Sequence, residues 1–107
     1  MKYLLIRRPR VGAERPTAQT IRAQKEYVMG KLKEGVVDCT YAFVGGGGCS
    51  IINAESPEKL NEQLFGGPMA LFYEYEIRPL SEYSTFMDGV AKAMERQGRS
   101  VVECVAL

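Results

Sequence analysis

The chain predicts an α+β fold in the order β-α-β-β-α-β, with one antiparallel sheet, two helices on one of its faces and a further helix at the C-terminal end. Three observations carry this. Cys49–Leu80, CSIINAESPEKLNEQLFGGPMALFYEYEIRPL, reads as strand, capped helix, Gly-Gly-Pro turn and strand. Val36–Val44 is β-branched and aromatic, and only Gly45–Gly48 separates it from the next strand, as in a hairpin. Between Thr17 and Glu34 the apolar residues follow one helical face.

Taken in order, Lys2–Arg8 is a first strand by its Tyr, Leu and Ile content. Pro9 and Pro16 bracket a basic loop, because proline cannot continue a ladder and restrains the residue before it. Thr17 is the N-cap of a helix to about Glu34, with Gly35 just beyond its end. Ala18, Ile21, Val28 and Leu32 form its apolar stripe; Lys25 falls on that stripe, its stem buried and its ammonium at the rim. The glycine run lacks the Gly-Lys-Ser/Thr and following helix of a phosphate loop, so it is a connection between strands. Ser56, Pro57 and Glu58 start the second helix as N-cap, first helical residue and first-turn acid; Leu60 and Leu64 are its buried stripe and Gly66 its stop. Met69–Arg78 is the last core strand, ended by Pro79. A third helix spans Ser84–Gln97, with Phe86, Val90 and Ala93 on one side, and Ser100–Val105 has the composition of a short strand.

The order of elements is that of the ferredoxin-like arrangement, a single domain over residues 1–107 with its core in 1–80. One face of such a sheet lacks a cover, and a second copy of the chain supplies it, which predicts a homodimer with a cleft between the sheets.

Composition bounds the function. At 46% hydrophobic and 25% charged residues the chain is an ordinary globular one, with no apolar run of the ~20 residues that span a bilayer. Cys39, Cys49 and Cys104 have no CxxC spacing, and without histidine a zinc site is not expected; they read as reduced thiols of a cytoplasmic protein. The absence of histidine also excludes Ser-His-Asp and Cys-His nucleophile pairs within the chain. Residues 1–33 carry nine basic side chains against two acidic ones, and residues 34–107 five against eleven, so the two parts neutralise each other on folding.

Leu32–Leu80 resembles the muconolactone isomerase-like family of dimeric α+β barrel proteins. The resemblance lies in KLKEG at the end of the first helix, SIINAESPEKL across the third strand and its cap, and GGPMALFYEYEIRPL in the last strand. It implies a ferredoxin-like subunit forming dimers that assemble into rings, and an enzyme that moves a proton within an unsaturated lactone without metal or organic cofactor. The family's Trp and His on the first two strands have no counterpart in KYLLIRR and VVDCTYAFV.

Strand alternation places Phe72, Glu74, Glu76 and Arg78 on one face of the last strand and Tyr73, Tyr75 and Ile77 on the other. Glu74 and Glu76 then face the cleft between copies as candidate acid–base groups, since two close carboxylates in a partly dry site raise each other's pKa. Arg7 or Arg8 on the neighbouring first strand is the opposing expectation, an ion pair that would make them poor bases. Tyr3, Arg7, Tyr41 and Phe72 are the candidate ligand-binding wall, with the arginine suited to a carboxylated or lactone-like molecule. The leading expectation is therefore a small-molecule-binding oligomer with a cofactor-free isomerase activity. Its rivals are a non-catalytic ligand-sensing or assembly module and an RNA-binding domain. The third strand, CSIINA, lacks the aromatic pattern of the latter.

Overall fold

A computed structural model of the chain describes residues 1–97. The elements run β1 (Lys2–Pro9), α1 (Ala18–Glu34), β2 (Val37–Ala42), β3 (Gly48–Asn53), α2 (Pro57–Phe65), a 3-10 turn at Ala70–Phe72, β4 (Tyr73–Leu80) and α3 (Tyr83–Gln97). The strands form one antiparallel sheet in the order β2-β3-β1-β4, the ferredoxin-like topology. The sequence places the last strand too early: Met69–Phe72 is drawn into the turn, where Tyr75 Oη donates to the Ala70 carbonyl at 3.0 Å, and the strand continues through Pro79 because β4 is an edge. The tail strand expected over Ser100–Val105 lies outside the described residues.

Both central helices end as their sequences dictate. Thr17 Oγ1 accepts from Thr20 N at 3.1 Å and Ser56 Oγ from Lys59 N at 3.2 Å, each satisfying an amide that the helix itself leaves orphaned. Gly35 closes α1 in the left-handed region at φ 78°. The core is small: Tyr3 and Leu5 of β1, Val37, Ile52, and Leu60 and Leu64 of α2, with Leu32 and Val36 packed against it. Paired residues of an antiparallel ladder share a face. The pairs Leu5↔Ser50, Leu5↔Ile77 and Arg7↔Tyr75 therefore define the helix-covered face, and Ile6↔Cys49, Leu4↔Ile51 and Ile6↔Glu76 the open one.

A bulge between Val37 and Cys39 breaks the alternation of β2. Val37 and Thr40 keep the helix side, opposite Ile52 and Ser50, while Cys39 and Tyr41 pair with Ile51 and Cys49. Simple alternation would separate Asp38 from Cys39. Instead Asp38 reaches the open face, where Lys2 Nζ and Asn53 Nδ2 donate to it and hold its carboxyl below the usual range.

Glu82 caps α3. Its carboxylate accepts from Ser84 N at 2.7 Å and Thr85 N at 3.1 Å and from both hydroxyls, and these bonds lower its pKa from 4.5 to about 2. A depressed folded-state pKa stabilises the cap above pH 4.5, and that contribution is lost as pH falls toward about 2. The helical circular-dichroism signal should decline over that window, and Glu82→Gln should flatten the part of the decline that belongs to α3. An identical acid profile for the variant would contradict the cap. No helix of the described residues is long and apolar enough to cross a membrane.

Candidate functional site

A cavity of about 530 Å³ lies between α1 and the helix-covered face of the sheet. It exists because α1 stands off from the strands. None of the 17 residues of α1 is buried, and Ile21 and Met29 stay about half exposed at its margin. The far wall is held by polar contacts to the end of α2 and the segment after it. Tyr27 Oη donates to the Gln63 carbonyl at 2.8 Å, and Met69 N donates to Gln24 Oε1 at 3.1 Å. Gly66 permits this approach, since a β-carbon there would come within 2.6 Å of Tyr27 Oη.

The floor carries a polar cluster. Arg7 Nη1 donates to Ser50 Oγ at 3.1 Å and Nη2 to the Tyr41 carbonyl at 3.4 Å, and Ser50 Oγ lies 2.8 Å from Thr40 Oγ1. Ser50 is only 6% exposed, so its hydroxyl is spent on these partners and fixes the guanidinium rather than solvent. Gly48 makes the arrangement possible: it pairs directly with Arg7 in the ladder, and a β-carbon there would sit against the guanidinium and the Tyr41 carbonyl. The remaining wall is aromatic. Tyr73 and Tyr75 meet edge to face, with ring centres 6.3 Å apart. Burial, ahead of the neighbouring Tyr73, raises the pKa of Tyr75, which keeps its phenol a neutral donor.

The electrostatics are one-sided. Arg7, Lys25 and Lys31 line the cavity, and no Asp or Glu does among the described residues. Lys31 is answered by Glu34 at 3.3 Å and lies over the Tyr27 ring. Arg7 has no carboxylate partner among the described residues.

The residues singled out from sequence divide between two faces. Arg7 reaches the cavity floor, and Tyr3 is buried in the core beneath it at 4% exposure. Tyr41 reaches the cavity site through its carbonyl, its ring being paired toward the open face and 67% exposed. Phe72 sits in the 3-10 turn, not on the strand. Glu74 and Glu76 are on the open face, away from Arg7. One wall holding Tyr3, Arg7, Glu74 and Glu76 together is thus ruled out by the register, which sets Arg8, not Arg7, opposite Glu74. The ion pair foreseen from the neighbouring strand is present, one step along the diagonal. Glu76 accepts from Arg78 Nε at 2.9 Å and from Arg8 Nη2 at 3.4 Å, and these arginines, Arg78 foremost, lower its pKa. Sequence reasoning missed Ser50, Thr40, Gln24 and Tyr27. The one available signal was Lys25 on an otherwise apolar helical stripe, which marks where α1 faces something other than core.

A four-stranded α+β subunit with a ligand-sized, cation-lined cavity under its first helix is the class of protein that fold and site define. Among solved structures the chain is similar to muconolactone isomerase, on which it superposes with a TM-score of 0.67 at 19% identity, over 77% of this chain and 90% of the enzyme. It also matches the 5-chloro-2-hydroxyhydroquinone dehydrochlorinase of Burkholderia phenoliruptrix AC1100, solved with 2,5-dihydroxybenzoquinone, with a TM-score of 0.63 at 16% identity over 77% and 95% of the two chains. The likeness establishes the muconolactone isomerase-like fold. No family model and no curated protein matches the sequence.

Proposed function

We propose that the protein binds a small, planar organic anion in the cavity between α1 and the sheet, with Arg7 as its anchor. The observation that carries this is a half-buried guanidinium that, among the described residues, has no carboxylate partner and shares its cavity with lysines as the other charged side chains. A carboxylate or enolate can accept from the guanidinium fork, while its ring packs against Tyr73 and Tyr75. The structural neighbours are named for, or bind, small oxygenated, unsaturated ring compounds, which are of this size and chemistry.

A cofactor-free proton shift on the bound anion is the enzymatic form of the same reading, and the fold likeness to an isomerase supports it. Phenols and lysine are the acid–base groups at the cavity. Glu74 and Glu76 belong to the open face and enter the reading at the contact between copies of a homo-oligomer. In a reducing cytoplasm Cys39 and Cys49, both free, remain thiols.

Calorimetric titration with benzoate and benzamide, alike in shape and unlike in charge, tests the anion preference. Benzoate should bind at least about tenfold tighter, as one charge-assisted hydrogen bond warrants, and added salt should weaken it. Equal affinity for the two would remove Arg7 from the role.

A further inference from the structure

Lys25 is the charged side chain of the cavity that an anion held by Arg7 leaves without a task. It stands on the apolar stripe of α1, four residues after Ile21 and three before Val28, and all three line the cavity. Lys31, the other lysine there, is already answered by Glu34 at 3.3 Å and lies over the Tyr27 ring. Lys25 has no carboxylate within ion-pair distance among the described residues. Its own helix supplies none one turn away, where Ile21, Arg22, Val28 and Met29 stand. A cation on an apolar stripe, with a like charge one turn back and no acid facing it, costs helix stability unless something else answers it.

Arg7 and Lys25 enter the cavity from different elements. Arg7 belongs to β1, and its guanidinium is held on the floor by Ser50 Oγ and the Tyr41 carbonyl. Lys25 belongs to α1, which approaches the sheet mainly along β2 and has none of its residues buried. A cation on a fixed floor and another on a loosely seated roof suit one anionic group each, at the two ends of a ligand.

We propose that the ligand is a dianion, an unsaturated ring bearing two carboxylates, of which Arg7 takes one and Lys25 the other, so that the bound molecule ties α1 to β1. This rests on the anion-binding reading above and adds its second end. Charge agrees with it: three cations and, among the described residues, no acid line the cavity, and Glu34 answers one of the three, which leaves two for a ligand to neutralise. Size agrees as well. A cavity of about 530 Å³ falls in the range of about 300–1,000 Å³ that takes drug-sized ligands, so one benzoate-sized ring leaves space beyond it for a second group. Lysine is apt at that second end, because its flexible stem lets the ammonium follow a carboxylate whose distance from the first is set by the ring.

Calorimetric titration with terephthalate and isophthalate, each against its own monoamide, tests the second end on the wild-type chain and on Lys25→Met and Lys25→Gln, both good helix formers. In the wild type at least one diacid should bind about tenfold tighter than its monoamide, about twofold of it from having two equivalent ends and the rest on the scale of one solvent-screened ion pair. Both variants should bring that ratio down to about twofold. Benzoate and benzamide titrated into the same wild-type protein keep the two readings apart. If both diacids stay within about twofold of their monoamides while benzoate still outbinds benzamide, the second end is overturned and the first stands; if benzoate and benzamide bind alike, both fall. A diacid preference that survives in both variants would overturn the role of Lys25. Phenyl phosphate bound tighter than either diacid, and weakened by Arg7→Met and Lys25→Met alike, would gather both cations on one group and overturn the two-ended ligand.

Discussion

Replacing Arg7 with methionine is expected to weaken binding of benzoate by roughly 10- to 150-fold, the equivalent of the 1.5–3 kcal/mol carried by a hydrogen bond to a charged group. Methionine keeps much of the length and removes the donors. Ser50 Oγ retains Thr40 at 2.8 Å, so the floor stays satisfied and the fold should not change. Arg7→Lys should fall between the two, since an ammonium keeps the charge but not the planar fork. Affinity for benzamide should change little in either variant. Loss of affinity for benzamide and benzoate alike in calorimetry would mean that the arginine shapes the cavity and does not recognise charge.

Leu60→Ala should destabilise the protein by about 2–5 kcal/mol, which is a large part of the 5–15 kcal/mol that holds a typical domain. Leu60 is 3% exposed, belongs to the small core, and sits where α2 meets β1 and β3. Val28→Ala makes the useful contrast. Val28 borders the cavity, so trimming it only enlarges a space that already exists and should cost less than about 1 kcal/mol. Urea titration of the two variants decides the matter. Similar losses at both sites would mean that α1 packs on the sheet in solution and that the cavity is closed.

The fold was legible because its signals are local. Ser56-Pro57-Glu58, the Gly45–Gly48 connection and the alternation in YEYEIR each mark an element without reference to anything distant, and the structure forms all three. The site was only partly legible because its parts meet through register. Arg7 stands out in the sequence as readily as Arg8, and nothing local says which of the two goes under the helix. That is decided by the pairing Arg7↔Tyr75 and by the glycine at position 48 that leaves room for the guanidinium. The bulge in β2 is likewise silent in sequence, and it is what turns Thr40 toward Ser50 and Cys39 away. An ion pair from the first strand to the two glutamates is foreseen from sequence, and the register decides that it is Arg8 and not Arg7, and that Glu76 takes it together with Arg78.

The aromatic wall has a spectroscopic consequence. The chain contains no tryptophan, so its intrinsic ultraviolet emission comes from six tyrosines, and four of these, Tyr27, Tyr41, Tyr73 and Tyr75, line the cavity, Tyr41 with its backbone carbonyl on the floor. An absorbing guest such as a hydroxyquinone would sit against Tyr27, Tyr73 and Tyr75 and quench them, while Tyr83 on α3 would go on emitting. The protein therefore carries its own optical reporter of occupancy, and a titration of that emission needs neither a label nor an assay for turnover.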